Sequence, residues 1–149
     1  MSSTQTTKIE ITRATSSKIN EVDFENLSFG AVFTDHSFEC DFKNGEWQKP
    51  VIKPYAPFLL DPSAKVFHYG QAIFEGMKAY KDDANDIWLF RPDENFKRFN
   101  NSAIRMAMPE VPEDIFMEGL NQLLKLDEAS IKKGKGNTMY IRPFMIATG

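Results

Sequence analysis

Cysteine is nearly absent from this sequence: Cys40 is the only one in 149 residues. A single thiol excludes an intrachain disulfide and any paired-cysteine metal or redox site, so Cys40 reads as a small apolar residue on a strand. Histidine is almost as scarce. His36 and His68 are too few and too far apart to make a metal site without other ligands, and both read as structural. No apolar run approaches the roughly 20 residues that a membrane-spanning helix needs, and the opening MSSTQTTKIE lacks the apolar core of a signal peptide. Charge of one sign is missing too. Eighteen basic and 21 acidic residues leave a net charge of -3 without a basic block, which argues against nucleic acid or an anionic membrane as the main partner. Internal repeats are absent, and so is low complexity beyond the first residues. What remains is a chain of one-domain size, able to bury roughly two thirds of its unfolded surface, with a cytoplasmic location as the expectation.

The patterning that is present predicts an α+β domain with a largely antiparallel sheet and two main helices. Residues 1–20, rich in Ser, Thr and Lys, predict a flexible arm, in which Ile9 and Ile11 alternate with charges and allow a short edge strand. Residues 21–149 are expected to form the domain. LSFGAVFTDH puts Phe29, Ala31 and Phe33 on one extended face. Phe38, Cys40 and Phe42 alternate with Glu39, Asp41 and Lys43 up to Asn44-Gly45, the strongest hairpin signal in the chain, which should close onto Trp47. Four prolines punctuate the next segment, so VIKPYAPFLLDP predicts a traversing loop with short extended pieces rather than a central strand.

The stretch His68 to Arg105 reads as strand, turn, strand, helix. Phe74, Gly76, Lys78 and Tyr80 share one face of an extended run, and Glu75, Met77 and Ala79 the other. DDAND breaks the run, Ile87 to Phe90 resumes it, and Pro92 opens a helix whose apolar row is Phe96, Phe99, Ala103 and Met106. MPEVPED separates this helix from a second one over Pro112 to Ser130, lined by Phe116, Leu120, Leu123 and Leu124, with KKGKG at its carboxyl end. Thr138 to Ile146 is the last strand. There Tyr140 and Arg142 share a face about 7 Å apart along the backbone, a phenol and a guanidinium able to meet a carboxylate. By pattern alone a Tyr-x-Arg pair is also an ordinary half-exposed sheet face. Arg98 likewise reads as a solvated helix arginine, and Phe29, Tyr69 and Phe74 as core packing.

HYGQAIFEGMKAY, the LFRP and ENFKRF segments and TMYIRP together resemble the amino-terminal domain of branched-chain amino acid aminotransferases, the fold-type IV enzymes that use pyridoxal 5'-phosphate. The likeness runs from about Leu27 to the last residue. It implies that Arg98 grips the cofactor phosphate; Arg91 and Arg105 are the nearby alternatives, and their places at a strand end and on the outer helix face read as structural. It also implies that Tyr140 and Arg142 lie on the carboxylate side of the substrate pocket and that Phe29 and Phe74 line its side-chain end. Tyr69 is implied to reach the partner subunit's pocket in a homodimer or higher homo-oligomer. The implied reaction moves the amino group of L-leucine, L-isoleucine or L-valine to 2-oxoglutarate.

The lysine that forms the Schiff base with the cofactor belongs to the family's second domain, and no lysine here stands at a matching position. The expectation is therefore a truncated chain that holds phosphate and substrate contacts, lacks the catalytic lysine, and has no activity alone. Two rival readings remain: another fold-type IV enzyme, such as a D-amino acid aminotransferase or aminodeoxychorismate lyase, and a noncatalytic binding or dimerisation module.

Overall fold

The computed structural model describes residues 7–149. Strands β1 (Glu10–Ile11), β2 (His36–Glu39), β3 (Phe42–Lys43), β4 (Glu46–Trp47) and β5 (Val51–Pro54) precede a short helix α1 (Lys65–Tyr69). Strands β6 (Ala72–Phe74), β7 (Met77–Lys81) and β8 (Ile87–Leu89) lead into helices α2 (Pro92–Arg105) and α3 (Glu113–Leu126). Strands β9 (Met139–Ile141) and β10 (Phe144–Ile146) complete the order. The class is α+β, and every ladder is antiparallel except β1 with β5. The chain divides into two compact units. One comprises the described residues up to Ala56 with Asp114–Ser130; the other is Pro57–Glu113 with Ile131–Gly149.

The first unit is built on the sheet β1-β5-β2. Its central strand, β5, falls inside the segment expected to be a traversing loop with no more than short extended pieces, so a central strand stands where none was expected. Pro50 stands just before the strand and Pro54 is its last residue, so the missing N–H groups fall at its ends. Val51, Ile52 and Lys53 pair freely between them, and the Ile52 side chain is completely buried. β1 is the short strand that the alternation of Ile9 and Ile11 allows, while residues 1–6 of the expected arm lie outside the described residues.

Leu27 to Phe33 is not extended as expected. The Ala31 N–H donates to the Ser28 carbonyl at 3.1 Å and Gly30 takes φ +76°, so the glycine serves a reverse turn that a strand reading overlooks. Asn44 (φ 55°) and Gly45 (φ 83°) make the tight hairpin that their sequence predicts, and Phe42 pairs with Trp47 across it with the rings edge to face. Helix α3 buries Ile115, Phe116, Leu120 and Leu124. Its Gly119 lies so close to the Phe38 ring that a Cβ there would come within 2.6 to 2.9 Å of it. The helix ends at Leu126 and passes into a 3-10 turn over Glu128–Ser130 instead of running α-helically to Ser130. KKGKG therefore belongs to the following loop. Cys40 lies just past β2, its Sγ 3.2 Å from the Gln48 carbonyl, and burial pushes its thiol pKa up to about 11.

In the second unit β7 is central to the sheet β8-β7-β9, and β6 pairs with β10. The two faces separate as the alternation predicts, and the structure decides which is inside: Ile73, Glu75, Met77 and Ala79 are buried, whereas Lys78, Tyr80 and Phe74, the last read by pattern as core packing, are exposed. The expected strand from Phe74 to Tyr80 is nevertheless interrupted at Glu75-Gly76, and the one from Thr138 to Ile146 at Arg142-Pro143. The register does not slip across the interruption, because Phe144 faces Phe74 and Ile141 faces Met77 with two residues between on each strand. The Glu75 N–H donates to the Pro143 carbonyl at 2.8 Å, and proline has no N–H to return the bond. Two strands thus break pairing together at one place. Helix α2 begins at Pro92 as predicted and buries Phe99 and Ala103 from its apolar row. The stretch through His68 and Tyr69 is helical instead of extended. Gly70, at φ 58°, ends that turn of helix in the left-handed conformation.

Candidate functional site

The paired interruption in the second unit gathers most of the residues that the sequence singles out. Glu75 is the first. Its side chain is only 4% exposed, and it accepts hydrogen bonds from Arg98 Nε at 2.5 Å, Arg98 Nη2 at 2.8 Å, Asn95 Nδ2 at 2.9 Å and the Gly76 N–H at 3.2 Å. Asn95 and Arg98 are on α2, so a helix opened by proline delivers both donors to one carboxylate. The Arg98 guanidinium, together with burial acting in the opposite sense and smaller contributions from Asn95 and Gly76, leaves the Glu75 carboxyl below its ordinary pKa. Arg98 itself remains 67% exposed.

Arg98 has five N–H donors. Glu75 engages one on Nε and one on Nη2. Among the described residues, Nη1 and the second Nη2 hydrogen have no acceptor, so the guanidinium presents an open fork away from Glu75. Such a fork matches the oxygens of a phosphate ester or a carboxylate. Arg91 and Arg105 differ. Arg91, in the left-handed region at φ 49°, approaches Glu94 only to 3.9 Å, and Arg105 is an exposed residue of the last helical turn.

Tyr140, Arg142 and Phe74 form the second cluster. Arg142 Nη2 donates to the Tyr140 hydroxyl at 3.1 Å, and its guanidinium lies over the Phe74 ring, 4.4 Å from the centroid. A cation–π contact plus one hydrogen bond restrains an exposed arginine without neutralising it. Gly76 makes room for this arrangement. A Cβ there would come against the Tyr140 hydroxyl and stand 3.2 Å from its Cζ, so only a bare Cα lets the phenol lie across the strand. Successive residues Phe74, Glu75 and Gly76 therefore serve two clusters.

The sequence reading brings Arg98, Tyr140, Arg142 and Phe74 forward but passes over Glu75 and Gly76 as site residues. A signal for Glu75 exists, since an acid on the buried face of an alternating strand requires a partner. Tyr69 closes α1 with its ring well exposed, and Phe29 belongs to the turn in the first unit, also well exposed. Neither is among the residues that build the two clusters.

The first unit has its own concavity, a cleft of about 230 Å³ lined by Arg13, Ser17, Asp35, His36 and Asp127 among others. His36 Nδ1 lies 2.6 Å from Asp127 Oδ1, the His36 N–H donates to Asp127 Oδ2, and His36 Nε2 accepts from the Ala14 N–H. Both ring nitrogens and both carboxylate oxygens are thereby occupied, as the structural reading of His36 expects. His68 is bonded to the Pro62 carbonyl. Among the described residues no group of three or more His, Cys, Asp and Glu side chains is placed to hold a metal ion, and no helix is long and apolar enough to cross a membrane.

No family model matches the chain. It is 52% identical over 127 residues to branched-chain-amino-acid transaminase 1 of Bacillus subtilis, covering 85% of this chain and 36% of that protein. It is 45% identical over 145 residues to branched-chain-amino-acid aminotransferase 2 of the same organism, covering 97% and 39%. The branched-chain-amino-acid aminotransferase of Mycolicibacterium smegmatis is 45% identical over 132 residues. Among solved structures, a branched-chain amino acid aminotransferase complexed with N-(5'-phosphopyridoxyl)-L-glutamate superposes with a TM-score of 0.50 at 29% identity, over 62% of this chain and 29% of that one. The chain spans a little over a third of the length of the curated relatives it matches. Along 85 to 97% of its length, then, this chain is similar to one part of branched-chain amino acid aminotransferases.

Proposed function

We propose that this chain is part of a pyridoxal 5'-phosphate-dependent enzyme that transfers the amino group of L-leucine, L-isoleucine or L-valine to 2-oxoglutarate. The observation that supports it is the interruption at Glu75-Gly76 and Arg142-Pro143, which brings an open arginine fork and a hydrogen-bonded tyrosine–arginine pair, its guanidinium over Phe74, to the neighbouring residues Phe74, Glu75 and Gly76. The cofactor fits this donor set: its phosphate ester matches the Arg98 donors that Glu75 does not engage. The aminotransferase structure noted above carries a phosphopyridoxyl-glutamate, a ligand that presents both a phosphate and carboxylates. When bound, pyridoxal 5'-phosphate supplies the carbonyl that accepts the amino group and the electron sink for loss of the Cα proton.

The chain's own residues bind and orient. Arg98 holds the phosphate, and Tyr140 with Arg142 meets a carboxylate. Phe74 walls the apolar end where Leu, Ile and Val side chains exclude water; Phe29 keeps, by resemblance alone, a role in substrate binding. Tyr69 contributes to the partner subunit's pocket in a homodimer or higher homo-oligomer, and the enzyme works in the cytoplasm. The Schiff-base lysine is assigned to no residue of this chain.

Two measurements test this reading. In the intact enzyme, Arg142→Met should slow the glutamate half-reaction more than the leucine half-reaction in single turnovers, because only glutamate carries a second carboxylate. Equal losses would assign Arg142 to the shared α-carboxylate or to structure. Mixed with cofactor, leucine and 2-oxoglutarate, the 149-residue chain alone should form no more glutamate than the cofactor does without protein. Turnover with stoichiometric borohydride trapping at one lysine, such as Lys78 opposite Tyr140, would overturn the assignment.

A further inference from the structure

We propose that Glu75 is the positioning residue for Arg98: it fixes the guanidinium plane so that the fork formed by Nη1 and the second Nη2 hydrogen is preset for a phosphate ester. The inference rests on the reading of Arg98 as the phosphate-holding residue. An arginine two thirds exposed on a helix ordinarily samples many rotamers, and binding a ligand would have to order them. Here Nε and Nη2 are both engaged by a carboxylate that is itself almost fully buried and held in place by Asn95 Nδ2 and the Gly76 N–H. The exposed end of the arginine is thereby anchored to the core of its unit. Two donors serve orientation and three stay available.

Simple charge makes the opposite prediction, which gives the proposal its test. Glu75 carries a negative charge next to Arg98, so by Coulomb repulsion alone its removal would strengthen the binding of a phosphate dianion. Positioning requires that its removal weaken that binding. In Glu75→Gln the shape is kept, but one carboxylate oxygen becomes an amide N–H₂ that faces donors on Arg98 or Asn95, and the two-point grip is lost.

The experiment measures binding of pyridoxine 5'-phosphate and of pyridoxine, neither of which carries an aldehyde to react with lysines. The quantity read is the ratio of the two affinities, by calorimetry on the 149-residue chain. Wild type should favour the phosphorylated compound by about tenfold or more, the order for a charge-assisted contact. Arg98→Ala should bring the ratio near unity. Glu75→Gln should lower it several-fold, with Glu75→Asp between Glu75→Gln and wild type, and the deficit should persist at about 1 M salt, where charge effects are screened. A ratio for Glu75→Gln equal to or above wild type overturns the positioning role while leaving Arg98 as the phosphate residue. Absence of any preference in wild type, or its survival in Arg98→Ala, overturns the Arg98 reading and the positioning role with it. Should Glu75→Gln not fold, Arg98→Lys decides: positioning predicts a lost preference, since an ammonium cannot grip Glu75 and present a second fork, whereas a retained preference overturns it.

Discussion

Each unit of this chain buries one carboxylate against a basic side chain, and the two pairs end in opposite conditions. In the first unit, Asp127 takes His36 Nδ1 on one oxygen and the His36 backbone N–H on the other, and the remaining ring nitrogen accepts from Ala14. Nothing on the imidazole is left over, so the pair ties β2, the end of α3 and the amino-terminal segment into one framework. In the second unit, Glu75 is as deeply buried, yet its partner is an arginine whose far edge stays outside. Burial of an acid is thus a poor guide to role. What separates the two is the number of hydrogen-bonding groups the partner retains once the acid is satisfied, none for His36 and three for Arg98.

The largest effect expected from breaking this comparison is on stability of the first unit. Asp127→Ala leaves the buried His36 ring N–H and backbone N–H without acceptors, which should cost about 2–3 kcal/mol. Urea titration gives the value, and the preference for pyridoxine 5'-phosphate over pyridoxine should be unchanged. A loss below about 0.5 kcal/mol would mean that water takes the place of the carboxylate and that the framework is not as closed as described.

A contrast between two glycines is next in size. Gly119→Ala presses a Cβ into the Phe38 ring and Gly76→Ala presses one against Tyr140, so each should destabilise by about 1–3 kcal/mol. Their consequences should diverge. Gly76→Ala displaces the phenol and with it Arg142, so in the intact enzyme it should raise KM for glutamate, while Gly119→Ala should leave KM alone. Equal KM values for the two variants would remove Gly76 from the site.

The smallest effect concerns pH. Glu75 has a folded pKa below the usual 4.5, with Arg98 as the largest cause. Its contribution to stability is therefore fully present above that value and fades as pH falls through the lowered one. Other carboxylates, Asp35 and Asp82 among them, are lowered as well, so the difference between wild type and Glu75→Gln is the informative quantity. That difference should shrink on acidification, as followed by melting temperature. A constant difference down to acid pH would show that Arg98 does not stabilise the ionised form.

Local chemistry was legible in the sequence wherever a residue's own backbone preference decided the outcome. Asn44-Gly45 makes its hairpin because both positions need positive φ, and Pro92 opens α2 because its missing N–H falls where no helical bond is made. The alternation from Phe74 to Tyr80 placed Glu75 on one face with Met77 and Ala79, and the period of two placed Tyr140 beside Arg142. Tertiary structure decided the rest. Whether Val51 to Pro54 is a loop or a central strand depends on β1 and β2 arriving on either side of it, which the density of prolines cannot reveal. Whether Phe29 lies in a strand or a turn depended on Gly30 taking a conformation that it permits but does not require. That Glu75 meets Arg98 depends on α2 returning over the interrupted strand, a contact between residues 23 apart in sequence. Turn and helix-start signals act within a few residues and can be read directly. Partners for a buried charge are chosen by the packing of whole elements, and the chain specifies that packing only through their combined surfaces.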